Sequence, residues 1–99
     1  MFDYLIVGSG LFGSVFAEQA LKQGQKVLMV DKRNHIGGNV FTKNIDDCIV
    51  SMYGPHLFHT KHKWIWDYVN KFSKFNNYRH KVKAYYKGKH YSLPFNLNT

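Results

Sequence analysis

The chain has 99 residues, 44% of them apolar, and carries a formal charge of +8 from 14 basic and 6 acidic side chains. That length allows one small domain, and the apolar share suits a globular chain rather than a disordered one. A single cysteine, Cys48, excludes an internal disulfide framework, and no apolar stretch approaches the roughly 20 residues that a membrane span requires.

Phe2 to Val7 is a short apolar run rich in β-formers and reads as a buried strand. It is too short for a secretory signal, and Asp3 stands where a basic region would precede one, so the expected location is the cytoplasm. Gly8-Ser9-Gly10 breaks the run. From Leu11 to Gln23 the pattern turns helical, with Val15, Ala17 and Leu21 placed to pack on a sheet and Gly24 where a C-cap glycine belongs. Lys26 to Asp31 is a second apolar strand. Strand, helix and strand of these lengths predict a βαβ unit with a parallel sheet.

Lys32 to Thr42 reads as a loop carrying Gly37-Gly38. Cys48 to Met52 is a short strand candidate with Cys48 as a core thiol, and Tyr53-Gly54-Pro55 turns the chain. Lys61 to Phe75 reads as a helix, because Ile65, Tyr68, Val69, Phe72 and Phe75 recur at spacings of three and four. Trp64 and Trp66 are expected to be packing residues. Lys81 to Tyr86 and His90 to Leu93 predict a hairpin joined through Lys87-Gly88-Lys89. The final Asn96 to Thr99 offers helix-capping residue types with no helix after them, and two parallel strands leave open edges. Both features lead to the expectation of a truncated domain.

Most of the basic residues follow position 60. They fit a solvated lysine face or attraction of an anionic substrate such as a nucleotide sugar. Nucleic acid is not expected as a partner, because the lysines are scattered singly among aromatics with no recognised nucleic-acid module around them.

Gly8-Ser9-Gly10-Leu11-Phe12-Gly13 is a GxGxxG at a predicted strand–helix junction. In such a motif Gly8 permits the tight turn, Gly10 lets backbone approach a pyrophosphate, and Gly13 lets the helix pack close to the strand. The phosphates meet the free N–H groups and positive dipole at the helix start. Asp31, 18 positions after Gly13, ends the second strand and is the candidate ligand of a ribose hydroxyl. Its charge argues against the 2′-phosphate of NADP, although Lys32 and Arg33 follow it. Gly37-Gly38, after five intervening residues, gives a second close backbone approach and points to FAD, the longer dinucleotide. His56, His59 and His62 recur at a spacing of three, but Gly54 and Pro55 oppose a regular helix and no carboxylate or thiolate supports them, so no metal is expected.

An acidic residue, five residues and Gly-Gly resemble the extended fingerprint of the flavin amine-oxidase-like superfamily. Many of its members continue with Arg, whereas this chain has Asn39. Arg33-Asn34-His35-Ile36-Gly37-Gly38-Asn39 is similar to the version in the UDP-galactopyranose mutases. Three further blocks resemble that family: the histidine loop Tyr53 to Thr60, the helix around Ile65 to Asn70, and Ser92 to Thr99. The likeness covers essentially the whole chain.

This resemblance implies an α/β fold: a Rossmann-like FAD-binding βαβ core plus a helix and a C-terminal β-hairpin, an incomplete domain over residues 1–99 with the substrate domain absent. It implies cofactor contacts at Gly8, Gly10, Phe12 and Gly13, at Asp31 and Lys32, and at Gly38 and Asn39. His56 and Leu57 would lie beside the flavin ring. His80 falls where relatives often carry Asn near the sugar and is the one substrate candidate. The implied reaction interconverts UDP-galactopyranose and UDP-galactofuranose, for cell-surface polysaccharide. The resemblance implies that reduced FAD would attack the anomeric carbon through N5 and expel UDP, giving a flavin–sugar adduct. No catalytic residue is expected within the chain, because the groups that clamp UDP lie beyond Thr99 in relatives. The full-length protein would be a homodimer and the isolated chain inactive. The alternatives are a flavin-dependent oxidoreductase of the same superfamily and a non-catalytic, truncated FAD-binding fragment.

Overall fold

A computed structural model describes residues 1–94. Positions 95–99, including the expected capping residues Asn96 to Thr99, lie outside the described residues. The chain divides into two compact units, one from Met1 to His56 and a second that begins at Leu57.

The first unit opens with the expected βαβ arrangement. β1 (Tyr4–Val7) and β2 (Val27–Val30) pair in parallel, with Tyr4 beside Val27 and Val7 beside Val30, and α1 (Leu11–Lys22) connects them. Hydrogen bonds clamp the pair at both ends. The Asp3 carboxylate accepts the Lys26 N–H at 2.7 Å at one end, and the Gly8 N–H donates to the Val30 carbonyl at 2.7 Å at the other. α1 stops where the sequence says it should. The Gly24 N–H bonds the Leu21 carbonyl and the Gln25 N–H bonds the Ala20 carbonyl, a Schellman closure around Gly24.

The packing of α1 differs from the expectation in one respect. Val15 and Leu21 are exposed, and the buried positions of the helix are Gly13 and Ala17, four residues apart on one stripe. A two-stranded sheet is too narrow to cover a wide apolar face, so the helix seats through its smallest residues. β1 is not buried throughout either: Ile6 is 9% exposed, whereas Leu5 and Val7 are open. Tyr4 and Phe16 meet edge to face at 5.1 Å between ring centroids.

Beyond β2 the chain forms a single 3-10 turn at Gly38–Val40 and then an antiparallel ribbon. β3 (Thr42–Ile45) pairs with β4 (Cys48–Ser51) through a two-residue turn, Asp46-Asp47, in which both residues have positive φ. β4 was expected and β3 was not. Cys48 is exposed rather than a core thiol, because the ribbon is exposed along both strands.

The second unit holds α2 (Lys63–Val69) and a hairpin of β5 (Val82–Tyr86) with β6 (Lys89–Leu93). α2 is shorter than the expected Lys61–Phe75. The Asn70 side-chain amide donates to the Trp66 carbonyl at 2.7 Å, and the next two bonds, Lys71 to Tyr68 and Phe72 to Val69, are of the tighter 3-10 type. Trp66 contacts Phe58 and Phe75, with centroids 6.2 and 5.4 Å away, and remains 41% exposed, against 71% for Trp64. The hairpin closes through Lys87-Gly88, both at positive φ, with Tyr86 paired to Lys89. That is the primed turn which matches strand twist. Among the described residues no helix is long and apolar enough to cross a membrane.

A Cβ at Gly13 would collide with the Gly8 carbonyl oxygen and lie 3.1 Å from Ile6 Cγ2. Gly13→Ala gains helix propensity of about 1 kcal/mol. The obstruction is backbone and cannot rotate away, so the cost falls at the upper end of the ~1–3 kcal/mol typical of overpacking. The expected result is a net loss of about 1–2 kcal/mol, read from the urea unfolding midpoint and from faster amide exchange in α1.

Candidate functional site

β1 delivers Gly8 at the strand end with φ of 102°, and Gly10 stands before the first turn of α1. No side chain caps this helix start, and the first turn holds no acidic residue. The first helical bond is from the Ser14 N–H to the Gly10 carbonyl at 3.0 Å. The N–H groups ahead of Ser14 therefore have no intrahelical acceptor and sit at the positive end of the helix dipole. This is the arrangement that takes a phosphate oxygen. A Cβ at Gly8 would meet nothing within 4 Å, so the backbone there is open to a ligand.

Asp31 lies across the loop from Ser9. Its Oδ2 accepts the Ser9 hydroxyl at 2.6 Å and the Ser9 N–H at 2.8 Å, and its Oδ1 accepts the Arg33 N–H at 2.8 Å. Three donors favour the charged form. The Ser9 hydroxyl is the largest cause, followed by the Arg33 and Ser9 backbone N–H groups, and together they hold the carboxyl well below its ordinary value of 3.8. Ser9 itself is buried, at 4% exposure. Its carbonyl accepts the Gly37 N–H at 2.9 Å, which ties the second glycine turn to the first. Gly38, at φ of 59°, comes so close to Gly10 that a Cβ on Gly38 would lie 2.8 Å from the Gly10 Cα.

The sequence-predicted residues therefore come together unevenly. Gly8, Gly10, Asp31, Lys32 and Gly38 line one cleft of about 280 Å³ that also includes Ser9 and Arg33. Gly8, Gly10, Phe12, Gly13, Asn39 and His56 line an adjoining, more apolar cleft of about 640 Å³ along β1. Phe12 is 88% exposed there. His56 ends the first unit and Leu57 begins the second. His80 lies in the second unit between α2 and β5, with its ring 6.2 Å from that of Tyr78. Among the described residues no group of three or more His, Cys, Asp or Glu side chains could hold a metal ion.

Sequence reasoning missed a cluster beside the site. Arg33 rests on the Tyr53 ring, 4.2 Å from its centroid, and the His35 ring stacks on Phe41 at 3.8 Å. His35 Nδ1 contacts the Ile36 carbonyl at 2.9 Å, and a carbonyl only accepts, so Nδ1 carries hydrogen. In the neutral ring Nε2 then accepts the Tyr53 hydroxyl at 2.7 Å. Ser9 was missed as well. Its signal was its place between two motif glycines, opposite the strand that ends in Asp31.

These features (a glycine turn into a bare helix start, an ionised carboxylate at the end of the neighbouring strand, and a second glycine turn against the first) suit a dinucleotide. A family model described as an NAD(P)-binding Rossmann-like domain matches residues 6–72. The chain belongs to this family. Within it, the Rossmann-like chain is 44% identical over 98% of its length to a probable UDP-galactopyranose mutase of Klebsiella pneumoniae. It is 41% identical over 96% of its length to a dTDP-fucopyranose mutase of Escherichia coli, and 41% identical over 82% to a UDP-galactopyranose mutase of Mycoplasma genitalium. The resemblance to the UDP-galactopyranose mutases is thus borne out. The chain covers 26% of the first two relatives and 20% of the third, so it spans about a quarter or less of their length.

The depressed Asp31 carboxyl makes part of the stability pH-dependent. As pH falls through about 3.8 the unfolded chain takes up a proton that the native chain resists, so stability drops until native Asp31 is itself protonated. Asp31→Asn is expected to be less stable than the parent at neutral pH, with the gap narrowing as pH falls below 3.8. Urea midpoints measured across that acid range check it.

Proposed function

We propose that the chain is the FAD-binding segment of a flavin-dependent nucleotide-sugar mutase, with UDP-galactose as the substrate. The observation that carries the reading is the lock between the two glycine turns: the Gly37 N–H bonds Ser9, and Gly38 is pressed on Gly10. Two backbone approaches side by side suit a ligand with a diphosphate and a further ring system. The names of the relatives support an isomerase that acts on a sugar nucleotide. In this reading Gly8, Gly10 and the first turn of α1 hold the diphosphate. Asp31 and Lys32 take the adenosine ribose, and Gly38, Asn39 and His56 serve the flavin side. When bound and reduced, FAD would supply a nucleophilic ring nitrogen for the anomeric carbon. The residues of this chain orient the cofactor and compensate its charge. The proposed location is the cytoplasm.

One relative is a dTDP-fucopyranose mutase at 41% identity, and the proposal of UDP-galactose follows the name of the probable UDP-galactopyranose mutase at 44%.

Two experiments test the reading. In a protein that carries this segment and the remaining length of its relatives, Asp31→Ala should release FAD roughly tenfold faster on dilution, because a charged hydrogen bond is lost. Unchanged flavin content counts against the assignment. The 99-residue chain alone, given FAD, dithionite and UDP-galactofuranose, should give no UDP-galactopyranose by chromatography. Substrate positioning alone is worth roughly 7–11 kcal/mol, and a chain spanning 26% of its relatives is not expected to supply the UDP clamp. Turnover by the chain alone would refute this. Substrate oxidation without ring contraction in the longer protein would favour a flavin-dependent oxidoreductase instead.

A further inference from the structure

We infer that Ser9 limits Asp31 to a single ribose hydroxyl, accepted at Oδ1. The inference rests on the reading of Asp31 as the ribose carboxylate and adds to it a stoichiometry. An ionised carboxylate offers about four acceptor positions, two on each oxygen. Oδ2 uses both of its positions on Ser9, at 2.6 Å to the hydroxyl and 2.8 Å to the N–H. Oδ1 uses one on the Arg33 N–H at 2.8 Å. One position is left, and it is on Oδ1.

A ribose presents two adjacent hydroxyls, and a free carboxylate end could take both, one on each oxygen. Here the second oxygen is saturated by the hydroxyl and the backbone N–H of one buried residue. The Ser9 backbone is anchored through its carbonyl by the Gly37 N–H, which keeps its N–H on Oδ2, and at 4% exposure its hydroxyl is buried against the same oxygen. The neighbouring Arg33 guanidinium rests over the Tyr53 ring at 4.2 Å. Ser9 is therefore a positioning residue: it acts on the nucleotide through Asp31, by deciding which oxygen is available and how many hydroxyls it can accept.

The test compares ADP, 2′-deoxy-ADP and 3′-deoxy-ADP as ligands of the chain, followed by the chemical shifts of the Asp31 carboxyl carbon and the Ser9 amide. One deoxy analogue should bind roughly 10-fold or more weakly than ADP and the other within about twofold. Ser9→Ala should raise the Asp31 titration midpoint toward 3.8 and make both analogues bind more weakly than ADP, because Oδ2 regains an acceptor position. Ser9→Thr keeps the hydroxyl and should restore the one-sided pattern. Equal losses with both analogues on the parent chain overturn the single-hydroxyl inference and leave the ribose assignment standing. No loss with either analogue, or no response of these signals to ADP, overturns the ribose assignment and the inference together. If Ser9→Ala does not fold, the parent comparison decides alone.

Discussion

The Ser9–Asp31 contact joins everything that makes the first unit a binding site. Ser9 belongs to the turn leaving β1, and Asp31 directly follows β2. Two hydrogen bonds from one residue to one carboxylate oxygen fix the separation of these strand ends on the ligand side. The Ser9 carbonyl then holds Gly37, so the second glycine turn inherits its place from the first. The carboxylate is charged at every pH where the protein would work, and each donor that keeps it so is also a strut of the loop.

Hydrogen bonding carries this share because burial is slight. Ile6 and Ala17 are the buried apolar side chains among the described residues, while Leu5, Val7, Leu11 and Phe12 are open to solvent. A domain of this size hides a modest part of its surface in any case. What distinguishes the present arrangement is where the order is invested. Side-chain and backbone donors concentrate at the nucleotide end, and the ribbon of β3 and β4 is exposed along its length.

Much of this was legible in the sequence where local chemistry sets the outcome. The strand, glycine turn, helix and strand from Tyr4 to Val30 stand as expected, and so does the hairpin around Lys87-Gly88. Each is announced by residues that allow few alternatives. β3 was not legible, because Thr42–Ile45 shows no clear alternation and becomes a strand by pairing with β4. Its turn is built from Asp46-Asp47, which tolerates positive φ without the glycine that usually announces it. The end of α2 was overrun because apolar spacing continues to Phe75, while the Asn70 amide closes the helix after Val69. At the site, Asp31 was found from its place at the strand end. The sequence pattern said nothing of how many of its acceptor positions were already taken, since that depends on a rotamer of Ser9.

The contact between Gly38 and Gly10 has a genetic consequence. The two residues stand face to face, and each is already the smallest that a chain can offer. A lesion that adds a side chain at position 38 leaves nothing to trim at position 10, so no compensating change exists at the point of contact. Revertants of such an allele should restore glycine itself, or else remodel the course of the chain between Asp31 and Phe41.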